Sequence, residues 1–237
     1  MGEQGGTNLT VSLDRQRQLD IVNPAWLRAL PVTVIGAGGI GSPTVILLAK
    51  MGCEQVTVYD FDVVEAHNVP NQWYRLADVG KGKVAALQES VLGLSGVTIV
   101  AKAERFVAQS LRGIVIIAVD NMDTRKAIWE RCRMNPGIPL FIEGRMGAEQ
   151  YHVFAVRPCD ERHITAYELE LFPQSQAAEL PCTARAIIFN TFSIGAEICW
   201  LVKCEAVRRG NPAKARMLPF HIMKDFTTGT YVVRTVP

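Results

Sequence analysis

The segment Gly36-Ala37-Gly38-Gly39-Ile40-Gly41 constrains this chain more than any other. It follows the apolar run Val32-Thr33-Val34-Ile35 and precedes an apolar stretch of helical character, Thr44 to Met51. A second apolar run, Val56-Thr57-Val58-Tyr59, then ends on Asp60. Strand, glycine turn, helix, strand and acid, in that order, make a nucleotide-binding βαβ unit. Gly36 permits the tight turn, Gly38 lets the backbone approach a phosphate, and Gly41 lets the helix pack on the strand, with Gly39 between them. The N–H groups that start the helix attract anionic phosphate. An acid about 20 residues after the loop bonds a ribose hydroxyl, a role for Asp60 that suits NAD and ATP equally.

The alternation continues beyond this unit. Apolar spacing predicts a helix over 83–94, a strand over 97–100, a strand buried on both faces over 114–119, a helix over 123–133 and a strand over 140–143. Strands alternating with helices over 32–144 imply an α/β fold with an open, mostly parallel sheet and helices on both faces. Ligands of such sheets sit beyond the carboxyl ends of the strands, so Gly36, Asp60 and Asp120 should converge on one pocket. After Gly147 the rhythm changes to an antiparallel extension. Residues 151–156 alternate like an antiparallel strand, and 157–182 read as a polar loop with three prolines. Residues 184–208 read as a long apolar helix stopped by Gly210-Asn211-Pro212. Two short strands, 218–223 and 230–236, flank a Thr228-Gly229 turn. Pro24 starts a short helix over 24–30. The expected organisation is an arm and short helix over 1–30, then one domain over 31–237.

A net charge of +2 in 237 residues is too small to argue for a nucleic-acid or membrane partner, and none is expected. No apolar stretch reaches the roughly 18 residues of a membrane span. The N-terminus is Gly-rich and polar, unlike a secretory signal. Six cysteines without a C-x-x-C pair suggest reduced, mostly buried thiols and a cytoplasmic protein.

The stretch after Asp60 carries the chemistry. Asp60, Asp62, Glu65, Asn68, Asn71 and Gln72 crowd the top of the sheet. Carboxylates hold Mg²⁺ and amides donate to phosphates, so this density suits a metal–triphosphate site better than a dehydrogenase. Lys83, flanked by glycine at a helix start, is placed to reach a phosphate, with Lys81 as the alternative. Asp120 ends the most apolar strand and either binds Mg²⁺ or caps the helix that follows. Cys182 precedes the long helix, where a thiolate is favoured, and is either a nucleophile or a buried structural cysteine.

This ordered set resembles the ThiF/MoeB/ubiquitin-activating superfamily over roughly residues 15–208. The matching pieces are Gly36 to Gly41, Asp60-Phe61-Asp62, Asn68 with Gln72, Gly82-Lys83-Val84, Asp120-Asn121 with Arg125, and Arg17-Gln18 ahead of the first strand. The resemblance implies a Rossmann-like fold. It also implies an ATP-dependent adenylyltransferase that activates the C-terminal glycine of a ubiquitin-like or sulfur-carrier protein. Asp60 would hold the ribose, Asn68 and Lys83 would contact phosphates, and Asp120 would bind Mg²⁺ and orient the triphosphate. Arg17 would reach the phosphates of the neighbouring subunit in a homodimer. A homodimer also suits the apolar character of 186–202. Cys182 stands where ubiquitin-activating relatives take the activated chain as a thioester.

Three departures stand out. The family pattern Asn-x-x-Arg-Gln has Asn71 at its arginine, leaving Arg75 or Arg145 as substitutes. The two C-x-x-C pairs that hold zinc in many relatives are missing, so no zinc is expected. No appended rhodanese or ubiquitin-fold domain is seen. Competing readings are an NAD-dependent oxidoreductase, a non-catalytic scaffold that keeps the fold, and adenylation of a small molecule or a tRNA base.

Overall fold

The computed structural model describes residues 13–176 and 186–236. Its centre is an eight-stranded sheet in the order β3-β2-β1-β4-β5-β6-β7-β8. Five strands are parallel: β1 (Val32–Ile35), β2 (Val56–Tyr59), β3 (Val100–Lys102), β4 (Ile114–Ile117) and β5 (Phe141–Gly147). Three antiparallel strands extend it: β6 (Gln150–Val156), β7 (His221–Asp225) and β8 (Thr230–Arg234). β1 pairs with β2 on one side and β4 on the other, so the strand order reverses beside the glycine loop. That reversal is where an open α/β sheet leaves a crevice for a ligand.

The period-2 alternation of each strand feeds two cores. On one face Val32, Val34, Val56, Val58, Ile114 and Ile116 pack under α2 (Gly41–Met51), α3 (Lys83–Ser95) and α6 (Ile188–Gly210). On the other, Ile35, Val115, Ile117, Phe141 and Phe154 pack under α4 (Met122–Cys132) and α5 (Glu161–Glu168). Each fully buried Val, Ile or Phe contributes on the order of 1.5–3 kcal/mol. α1 (Pro24–Arg28) is capped by Asn23, whose side chain accepts from Ala25 N, with proline at the first helical position.

The structure corrects the sequence reading at several places. The third strand lies at Val100–Lys102, because its partners are Thr57 to Tyr59, while Val97 and Ile99 are buried in the α3-side core. β5 runs on to Gly147, held by its hairpin with β6. The stretch read as loop contains α5. Asp160 caps it, its Oδ1 accepting from the N–H groups of Arg162 (3.0 Å) and His163 (3.5 Å), and Ile164 and Tyr167 bury one face. α6 begins at Ile188. Its apolar residues Ile194, Ile198, Leu201 and Val202 are buried within this chain, so most of the character read as an oligomer face serves the chain's own core. Ile188, Phe189 and Trp200 remain exposed. Among the described residues no helix is long and apolar enough to cross a membrane.

Candidate active site

The glycine turn is shaped by its neighbours. Gly36 has φ +99°, and a Cβ there would lie 2.6 Å from the carbonyl oxygen of Ala118 at the end of β4. A Cβ on Gly41 would lie 1.9 Å from the Gly36 carbonyl oxygen. Both positions exclude side chains by packing. Gly38 is different: a Cβ there would meet nothing within 4 Å among the described residues. The N–H groups of Gly38, Gly39 and Ile40 have no hydrogen-bond partner among the described residues. An open space lined by unpaired donors at the start of α2 suits an anion.

The chain after β2 clamps this turn. Asp60 Oδ2 accepts from Ala37 N at 2.7 Å, and Tyr74 donates its hydroxyl to Ala37 O at 2.7 Å. Trp73 N donates to Ser42 Oγ, which in turn donates to Gly38 O. Asp60 Oδ1 accepts from Asp62 N at 2.8 Å, and Asp62 Oδ2 receives the Lys83 ammonium at 2.9 Å. Lys83 is buried while Asp62 is half exposed. Lys81 instead pairs with Glu89 and Asp78, so Lys83 is the lysine beside the Asp60–Asp62 carboxylates.

The amides divide. Asn68 is buried, with its Oδ1 accepting from Glu65 N at 2.9 Å; its NH₂ has no partner among the described residues. Asn71 donates to His67 O at 3.3 Å. Gln72 Oε1 is buried without a partner among the described residues, an orphaned acceptor next to the clamp. A buried polar atom left unpaired is costly unless something else completes it.

Across the crevice, Ala118 N bonds Ile35 O, placing the β4–α4 turn against the glycine loop. Asn121 is the α4 cap, its Oδ1 accepting from Thr124 N at 2.9 Å and from Thr124 Oγ1 at 3.2 Å. Asp120 is therefore not the cap, and it is exposed at the rim.

Arg125, read as a nucleotide contact, is engaged by groups of the protein itself. Its buried guanidinium donates to Glu143, to Gly144 O at 2.8 Å and to Val119 O. Arg145 donates to both oxygens of Glu143, at 2.6 and 2.9 Å, and to Glu170 O at 2.8 Å. Arg75 is engaged by Asp78. Both arginines considered as substitutes for Asn71 are thus occupied. Sequence reasoning missed Glu143, a fully buried carboxylate that also accepts from the Tyr167 hydroxyl. Burial raises its pKa, but Arg125, Arg145 and Tyr167 outweigh that and hold it below the usual carboxylate range. The signal was present: Glu143 ends a predicted strand, as Asp120 does.

Arg17 is exposed in a turn at the far end of α2. Gln18 next to it donates to Met51 O at 2.6 Å. Eleven helical residues, about 16 Å, separate that end from the glycine turn, so Arg17 does not join the site of its own chain. Cys182 lies outside the described residues. Of the described cysteines, Cys53, Cys132, Cys199 and Cys204 are buried and Cys159 is exposed. Burial pushes the Cys53 and Cys132 thiols up to about 12. Among the described residues no group of three or more His, Cys, Asp or Glu is placed to hold a metal by itself.

The model of the ThiF family matches residues 13–227. The SAMP-activating enzyme E1 of Haloferax volcanii is 37% identical over 151 residues, 56% of this chain and 56% of that protein. The NEDD8-activating enzyme E1 catalytic subunit of Arabidopsis thaliana is 28% identical over 202 residues, 76% of this chain and 43% of that one. A probable adenylyltransferase/sulfurtransferase MoeZ of Mycobacterium tuberculosis is 39% identical over 70 residues, 29% of this chain and 18% of that one. The matches thus span from 18% to 56% of the length of these relatives. Among solved structures, E. coli MccB with AMPCPP and MccA superposes with a TM-score of 0.70 at 15% identity, covering 90% of this chain and 65% of that one. PaaA gives a TM-score of 0.70 at 16% identity, over 100% of this chain and 78% of that one. At such identity these structures speak to fold alone. The glycine turn, its clamp and the sheet order, together with a family match over nearly the whole described length, lead to one conclusion: the chain belongs to the ThiF family.

Proposed function

We propose that this chain is an ATP-dependent adenylyltransferase that activates the C-terminal glycine of a small ubiquitin-like or sulfur-carrier protein. The observation that carries this reading is the row of N–H groups at Gly38 to Ile40, unpaired among the described residues and open at Gly38, with Lys83 on one side of the crevice and the exposed Asp120 on the other. The relatives named as E1 enzymes and as an adenylyltransferase support the same reaction class.

In the reaction the substrate carboxylate attacks the α-phosphorus of ATP. The bond to the α–β bridging oxygen breaks, pyrophosphate leaves, and an acyl adenylate remains. A C-terminal carboxylate is already ionised at neutral pH, so no general base is needed. The chain's task is to gather two anions and stabilise the charge that builds between them. Asp60 bonds the ribose and, through Ala37 N, keeps the turn in shape. The Gly38 to Ile40 N–H groups receive phosphate oxygens. Lys83 exchanges Asp62 for a phosphate, a short move because its ammonium already lies in the crevice. Asn68 adds its free NH₂, and Asn71 and Gln72 line the same wall.

Mg²⁺ fits this rim. It usually takes one or two carboxylates and completes its shell with phosphate oxygens and water. Asp120 would hold it, and the ion would neutralise triphosphate charge. In a homodimer Arg17, distant from its own site, would serve the neighbouring subunit's phosphates. Cys182 would then accept the activated chain as a thioester, releasing AMP. A cytoplasmic location suits its cysteine usage. A second reading, a scaffold that keeps the fold without catalysis, is favoured by one observation: Asn71 replaces a cation, and Arg75 and Arg145 are both engaged.

Calorimetry with MgATP and with NAD tests the nucleotide first. Binding of ATP and not NAD is expected, and the reverse overturns the proposal. Pyrophosphate exchange with Gly-Gly-tailed ubiquitin-fold proteins tests the reaction. ATP binding without exchange for any such partner, and with Asp120→Ala indifferent, selects the scaffold.

A further inference from the structure

We infer that Glu143, acting through Arg125, is a positioning residue that sets the direction of the Asp120 carboxylate, and so the metal affinity of the nucleotide complex. This rests on the adenylation reading above for the role of Asp120.

The three residues that bracket Asp120 are all fixed, while Asp120 itself stays exposed. The preceding carbonyl, Val119 O, receives the Arg125 guanidinium. The following residue, Asn121, is held by its cap bonds to Thr124. The next, Met122, donates its N–H to Gln174 Oε1 at 2.7 Å. Arg125 is the part of this brace that a remote charge controls. Its second amino group is taken by Glu143 and Gly144 O, so the same guanidinium ties the turn after β4 to the middle of β5. Gly144 in turn abuts the glycine turn, where a Cβ would lie 3.1 Å from Ile40. Glu143 is fully buried and has four donors on it, from Arg125, Arg145 twice and Tyr167. Without its charge, Arg125 has no counter-ion and its hold on Val119 O weakens. Asp120 would keep its place in the chain and lose its aim. Outer-shell partners of metal ligands typically change affinity or activity about 10–100-fold when altered.

The molecule supplies its own control. Glu205 in α6 is also fully buried and also carries two arginines, Arg208 and Arg157. It lies at the opposite rim, since Arg157 follows the end of β6 and donates to Pro139 O, ahead of β5. Glu143→Gln and Glu205→Gln therefore remove like charges from like surroundings, one beside Asp120 and one remote from it.

The experiment measures Mn²⁺ affinity in the presence of ATP by electron paramagnetic resonance, alongside pyrophosphate exchange and melting temperature. Glu143→Gln should weaken Mn²⁺ about tenfold or more, between the parent and Asp120→Ala, and lower kcat while the KM for ATP stays within about twofold. Glu205→Gln should leave metal affinity and kcat alone, whatever it does to melting. If Glu143→Gln does not fold, Tyr167→Phe, which keeps the charge and removes one donor, should weaken Mn²⁺ in the same direction by a smaller factor. Equal losses in the Glu143 and Glu205 variants, or a lower melting temperature with unchanged Mn²⁺ affinity, overturn the inference. The adenylation reading fails separately, by absence of exchange in the parent protein, and the Mn²⁺ measurement still decides the role of Glu143.

Discussion

The two walls of the crevice treat their polar groups in opposite ways. On the glycine-turn wall, donors and acceptors are left over: the Gly38 to Ile40 N–H groups, the Asn68 NH₂ and Gln72 Oε1 have no partner among the described residues. Lys83 is paired, but with a half-exposed aspartate. On the β5 wall, Glu143 is closed off by Arg125, Arg145 and Tyr167. Cations on both walls look alike in sequence. What separates a ligand-binding cation from a structural one is whether its partner is easily exchanged or deeply buried. A buried ion pair resists exchange because breaking it leaves an unpaired charge in a poor solvent.

The sharpest way to break this comparison is to remove one charge from each wall. Asp120→Ala and Lys83→Ala should lower pyrophosphate exchange by about 10²-fold or more, the scale set by losing one group that stabilises transition-state charge. Asp120 is exposed, so its replacement should change stability by less than about 0.5 kcal/mol in urea denaturation. Arg125→Ala should do the reverse in stability, costing about 3 kcal/mol by uncovering Glu143. If Lys83→Ala proves as destabilising as Arg125→Ala, the contrast between the walls is wrong.

Glycine positions sharpen it further. Gly41→Ala and Gly38→Ala are the same chemical change in one turn. The first drives a Cβ to 1.9 Å from a carbonyl oxygen and should lower the melting temperature; the second meets open space and should not. Gly38→Ala should instead raise the Kd for ATP by roughly tenfold, since its methyl would occupy the space assigned to phosphate. A Gly38→Ala protein that binds ATP normally would remove phosphate from that space.

The smallest effect concerns the loop behind the glycine-turn wall. Hydrogen bonds from the Arg75 side chain hold the Asp78 carboxyl down to about 2. A carboxylate depressed in the folded state contributes stability that is complete above its unfolded pKa, near 4, and is lost as pH falls from there toward 2. Arg75 is more than half exposed, so screening keeps this contribution small. Arg75→Leu should flatten stability over pH 4 to 2 and leave it unaltered at neutral pH in slope.

Much of the glycine-turn wall was legible because its signals are local. A run of apolar residues, a glycine at a turn and an acid at a strand end each follow from backbone geometry within a few residues. Asp60, Lys83 and Asp120 stand at element ends for that reason. α5 was not legible: only Ile164 and Tyr167 are buried among its eight residues, too few to betray a helical period. Nor did the residue types of Arg125 and Arg145 say which carboxylate each would meet.

The amino-acid sequence by itself determined the βαβ unit, the buried strand that leads to Asp120 and the apolar helix after Cys182, because hydrophobic period and glycine placement act along the chain. Only the tertiary structure decided that Arg125 turns inward to Glu143 and that Arg17 sits about 16 Å of helix away from its own site. It also decided that the apolar face of α6 is mostly consumed by α2 and the sheet. The physical reason is the same in each case. Ion pairing and burial are settled by which surfaces meet when the sheet closes, and that meeting brings together residues whose spacing along the chain carries no mark of it.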